Sequence, residues 1–134
     1  VSFIYNSAIV GVFKGEINFE SDKFKVMLLD EMYDPDRGAH AVRSDLFGEV
    51  VGIGYPKGGS EVPVRILRSG DKLDIFLGSV SWERATITAK YAVYYKDVGV
   101  PSLDIVLALI DFGGNVISTN GSFSLSQSTI RVES

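Results

Sequence analysis

The sequence predicts an all-β fold, a β-sandwich of jelly-roll-like type with one short N-terminal helix, in a single domain spanning residues 1–134. Three observations carry this. Residues 81–97, SWERATITAKYAVYYKD, hold the longest clean two-residue alternation in the chain. Ile87, Ala89, Tyr91, Val93 and Tyr95 fall on one face and Thr86, Thr88, Lys90, Ala92, Tyr94 and Lys96 on the other, as the opposed side chains of a strand require. Shorter alternating runs recur elsewhere with Gly, Asn, Pro or Asp clusters between them, the pattern of a sandwich or barrel. Finally, a chain of 134 residues buries roughly two thirds of its unfolded surface in one domain, enough for a core without a covalent or metal staple.

The elements follow in order. Ile9, Val10 and Phe13 recur at helical spacing, Asn6 or Ser7 precedes them as a capping residue, and Gly15 follows, so a helix is expected over 8–14. It begins within an apolar start that lacks the cationic leader and small-residue cleavage site of a secretory signal, and is read as part of the fold. FKVMLLD, 24–30, is apolar on both faces and is expected to be covered on both sides. The stretch 31–49 is polar and has no strand periodicity, only weak helical hints over 44–47; Asp34-Pro35-Asp36 within it reads as a turn. The glycines of 49–60 serve turn geometry. A hairpin over 60–67 and 72–80, turning at Ser69-Gly70-Asp71, comes next, followed by the central strand. After a turn at 99–102, a strand is expected over 103–112, then turns at Gly113-Gly114-Asn115 and Thr119-Asn120-Gly121, and strands over 122–127 and 129–133.

Composition narrows the function classes. The absence of Cys excludes a disulfide framework, a thiolate metal site and a cysteine nucleophile. Thirteen basic against seventeen acidic residues give a net charge of −4 with no basic block, which argues against a nucleic-acid surface. No apolar run approaches the roughly 18 residues of a spanning helix, so no membrane partner is expected.

The chemical motifs are thin. Asp34, Asp36 and His40 invite a metal reading, but the offsets of a calcium loop are missing, and no metal site is expected. His40 is the only His and no nucleophile motif accompanies it, so no catalytic residue is assigned and the chain is not expected to be an enzyme. EVVGIGYPKGGS fails the spacing of phosphate-binding loops. No cofactor is expected. Trp82, Tyr91, Tyr94 and Tyr95 raise a sugar-stacking alternative; packing is the preferred reading for Trp82, Tyr91 and Tyr95, while Tyr94 is expected on the outer face.

The ordered set FIYNSA, KGEINFESDKFKVMLLDEMYDPDRGAH, GEVVGIGYPKGG, WERATITAKYAVYYKD and IDFGGNVISTNGSFSL resembles a family of small virion proteins of tailed bacteriophages. The resemblance covers most of the chain apart from the 62–80 hairpin. It implies a capsid cement or decoration protein on the outside of an HK97-type head, bound to the major capsid protein, with homodimers bridging neighbouring capsomers. Under that reading contact residues are expected near the start (Tyr5), in the long polar loop (Tyr33, Asp36, Arg37, His40 and Arg43) and on the outer face of the central strand (Tyr94). A tail-associated structural protein and a carbohydrate-binding sandwich are the alternatives.

Overall fold

The computed structural model describes residues 1–133. In chain order the elements are β1 (Phe3–Ile4), α1 (Asn6–Phe13), β2 (Phe24–Leu29), a 3-10 turn (Arg43–Asp45), β3 (Ser60–Val62), β4 (Val64–Ser69), β5 (Lys72–Leu77), β6 (Val80–Lys96), β7 (Val106–Leu125) and β8 (Ser128–Glu133). The strands form two antiparallel sheets, one ordered β1-β7-β6-β2-β3 and the other β4-β5-β8. The expected all-β, sandwich-like fold with a short N-terminal helix is what forms.

Helix α1 starts two residues earlier than its spacing predicts. Neither Asn6 nor Ser7 caps it: Tyr5 occupies the N-cap with no side-chain capping bond, and Ser7 Oγ donates instead to the Val106 carbonyl. The C-terminal end does match the expectation. Gly15, at φ +75°, donates to the Val12 carbonyl and Glu16 to that of Gly11, the paired bonds of a Schellman stop.

The chain crosses between the two sheets at a corner. Pro63 interrupts the chain between β3 and β4, where it turns from the larger sheet into the smaller, and Gly78 does the same between β5 and β6. Gly78 donates to the Pro63 carbonyl at 2.8 Å, so the two crossings are tied together. Between the sheets lies the main core, including Phe24, Val26, Leu28, Ile75, Leu77, Trp82, Ile87, Tyr94, Phe123 and Ile130.

Strand β6 departs from simple alternation. Ile87 and Ala89 enter the main core as expected, but beyond Lys90 it is Ala92 and Tyr94 that do so, while Tyr91, Val93 and Tyr95 turn to the opposite face. The shift coincides with a bulge: from Ala89 to Tyr91 the chain takes two steps on β6, while the partner strand takes five, from Val116 to Asp111. Extra residues on one strand rotate the pair locally. The same bulge corrects the expected turn at Gly113-Gly114-Asn115. A second bulge, where Asn120 takes φ +47°, replaces the turn at 119–121. The backbone stays in the ladder, so 106–125 is one long strand rather than two.

The opposite face of the larger sheet carries a second core of Tyr5, Met27, Leu29, Tyr33, Tyr91, Val93, Tyr95, Val106 and Leu109. As the sequence predicts for 24–30, β2 is covered on both sides. The cover is the N-terminal segment and the polar loop 31–49.

Candidate docking surface

The loop 31–49 is bound down by its own chemistry. Tyr33 is 2% exposed, packs edge-on against Tyr91 and Phe47, and lies in a hydrogen-bonded chain. The Tyr5 and Tyr33 hydroxyls are 2.8 Å apart, and the Tyr33 hydroxyl is 2.7 Å from His40 Nδ1. Burial pushes the Tyr33 hydroxyl up to about 12, and pushes that of Tyr5 higher still. Arg37 Nε donates to the Ile4 carbonyl, and the Asn6 amide donates to the Arg37 carbonyl, fastening the loop to β1 and the start of α1.

Farther along, the amides of Ala41 and Val42 donate to Asp45 Oδ2 and hold its carboxyl below the ordinary carboxylate range. Arg43 Nε donates to Asp104 Oδ2 at 2.9 Å, and its guanidinium stacks over the Tyr95 ring. Asp36 Oδ1 accepts the amides of Gly38 and Ala39, the side-chain turn its sequence predicts. Among the described residues no three acidic or imidazole side chains converge as metal ligands.

The glycine-rich stretch 49–60 is equally fixed. Glu49 Oε2 accepts both the Tyr55 hydroxyl, at 2.7 Å, and the Gly58 amide, at 2.6 Å; the Leu28 amide donates to the Tyr55 hydroxyl, and Tyr95 donates to the Gly58 carbonyl. Gly59, at φ +80°, passes so close to β2 that an added Cβ would lie 1.8 Å from the Val26 carbonyl oxygen. Close backbone approach is what its missing side chain permits.

These contacts redraw the expected contact set. Tyr5, Tyr33 and Tyr94 are buried within this chain at 0%, 2% and 0% exposure, so they are packing residues rather than surface ones. Replacing Tyr33 would therefore test the core. Arg43 and His40 are half-buried and engaged internally, while Asp36 and Arg37 remain exposed. Tyr94 was expected outside because regular alternation was extended through Lys90; the bulge reverses that. Trp82 is 3% exposed, packed against Tyr55 and Phe123, so it and Tyr94 form no sugar-stacking platform.

What the surface does present is apolar side chains that the sequence reading passed over. Val51 is 97% exposed, Ile53 76%, Met32 73% and Ile117 67%. An open groove of about 490 Å³ is lined by Met32, Val51, Thr86, Thr88 and Asn115, with Asp30 and Glu31 at its rim. Ile53 borders it through its carbonyl, which accepts the Thr86 amide at 2.9 Å, and Ile117 borders it as the ladder partner of Thr88. Val51 and Ile53 alternate with Val50, Gly52 and Gly54 in EVVGIGY, and that alternation was the available signal. Large apolar groups gathered on a surface mark an interaction site. A second exposed group, Ile9, Val10, Val12 and Phe13, lies on the outer side of α1.

No family model, no curated protein and no solved structure matches this chain.

Proposed function

We propose that the chain is a structural virion protein, a cement or decoration protein that binds the outer surface of a tailed-phage head and bridges neighbouring capsomers. Two things support the reading: the resemblance of the ordered motifs to those of small virion proteins, and the groove lined by the exposed Met32 and Val51, with the exposed Ile53 beside it. The groove is the observation that carries the mechanism. Full burial of a Val, Ile or Met side chain contributes roughly 1.5–3 kcal/mol, so a few such groups supply the gain that offsets the cost of association. The segments that present them are held by the Glu49 network and the ladder, and little is lost in ordering them on docking.

The action is mass action on the lattice. A module that binds only the assembled shell stabilises it by RT ln(1 + [L]/Kd), about 2.7 kcal/mol per site at a hundredfold excess over Kd. Repeated around a head, modest affinity becomes mechanical reinforcement.

The test is co-sedimentation of the purified chain with empty heads of the phage or prophage encoding it, with tails in parallel. Saturable binding to heads that Val51→Asp and Ile53→Asp weaken, while leaving the thermal midpoint within a few degrees, is the expected result. Binding to tails alone overturns the cement mechanism in favour of a tail role, and binding to neither overturns the virion reading.

A further inference from the structure

We propose that the outer edge of β7 is where two copies of this chain pair, strand against antiparallel strand, about a two-fold axis at Ile117. This deepens the reading above by locating the dimer, and it is tested on the free chain.

The edge is open. β1 pairs with β7 only at Ala108 and Leu109, and from there to Leu125 the strand's ladder partner among the described residues is β6 alone. Its amides point the right way at Ile117. Thr86 donates to Ile53, on the side of β6 away from β7. The bulge between Ala85 and Ile87 adds its extra residue to β7, while β6 itself alternates with Ala85, Ile87 and Ala89 buried, so the direction of Thr86 repeats at Thr88, and its opposite partner, Ile117, presents its N–H and C=O to the free edge. An axis through Ile117 makes it a hydrogen-bonded pair with its own copy and sets the two exposed side chains side by side.

Charge selects the second copy as occupant. The residues 112–130, nineteen in all, contain no Lys, Arg, Asp or Glu, in a chain that is 22% charged. Sheet edges that must stay unpaired are guarded by charge or proline, as β4 is by Arg65 and Arg68 and β8 by Arg131 and Glu133. The bulges on either side of residues 116–118 bend β7 but add neither guard. About an axis at Ile117 that residue meets its own copy and Val116 meets Ser118, so a charge at the axis would face its like across the seam; a neutral segment has no such penalty. Antiparallel pairing of identical strands is also an isologous contact, which closes at two copies and does not propagate.

Sedimentation velocity of the free chain over a wide concentration range tests this, with two variants. Ile117→Pro removes an N–H that β6 does not use and is compatible with an edge position; Ile117→Lys places a guard charge at the axis. The expected result is a dimer in the natural chain whose dissociation constant rises about tenfold or more in both variants, with circular dichroism unchanged. If Ile117→Pro fails to fold, Ile117→Lys decides. A natural chain that stays monomeric, even if its Ile117 amide becomes protected on the virion by another protein's strand, overturns the proposal, as do dimers that persist in Ile117→Lys. A dimer that ignores heads would overturn the cement reading and leave this one standing; a head-binding monomer would do the reverse.

Discussion

Arg43 Nε lies 2.9 Å from Asp104 Oδ2, and Asp104 is the one charged side chain among the described residues with no exposed surface. Its other oxygen accepts the Val98 amide at 2.7 Å, and its carbonyl accepts the Arg43 amide. A single carboxylate thus pins the 3-10 turn to the approach to β7.

Removing the cation leaves that carboxylate buried and unpaired. Arg43→Ala is expected to cost about 3–5 kcal/mol in urea unfolding. Asp104→Ala orphans the Val98 amide and should also be costly, with the double variant costing less than the sum because the two share one interaction. Additive costs would show that the pair is not coupled.

The hydroxyl chain makes an asymmetric prediction. Tyr33→Phe leaves the Tyr5 hydroxyl buried with no partner and is expected to cost about 1–3 kcal/mol. Tyr5→Phe leaves Tyr33 still bonded to His40 and should cost about 1 kcal/mol. Denaturant midpoints that reverse this order would mean Tyr5 has another partner.

Alkaline stability follows from burial. The Tyr33 and Tyr95 hydroxyls are pushed up to about 12, chiefly by burial, against about 10 in the unfolded chain. A folded pKa raised above the unfolded one contributes stability that is complete below about pH 10 and is lost as pH rises through about 12. Phenolate absorbance is therefore expected to appear together with loss of near-ultraviolet circular dichroism in that window. Gradual ionisation of these two tyrosines with the native signal intact would contradict the packing.

Two glycines at positive φ should respond differently. Gly113, at φ +81°, has nothing within 4 Å of an added Cβ, so Gly113→Ala costs only the backbone strain of about 1–2 kcal/mol. Gly59→Ala must displace the Val26 carbonyl as well, and is expected to exceed about 4 kcal/mol or to prevent folding. Thermal midpoints of the two variants compare them directly.

The legible parts of the chain were those governed by local rules. Period-two alternation located β4, β5 and β6, and a short run apolar on both faces located β2; Gly15 stopped α1; Gly70 turned the β4–β5 hairpin; and Asp36 closed its own turn. Each depends on backbone conformations that a few adjacent residues dictate. The exposed groove was passed over in the sequence, where the alternation of Val51 and Ile53 was its one local signal.

Tertiary structure decided which face those residues occupy. Glycine clusters at 113–115 and 119–121 read as turns because glycine permits both a turn and a bulge, and pairing with β6 makes them bulges. Once the bulge opposite Lys90 shifts the register, Tyr94 goes inward and Tyr91 crosses to the second face. The polar loop 31–49, with few apolar residues of its own, becomes the cover of that face because Tyr33, Arg37 and Arg43 find partners at Tyr5, Ile4 and Asp104. Alternation along one strand records that two faces differ; which of them is buried depends on ladder partners and covering segments far away in sequence.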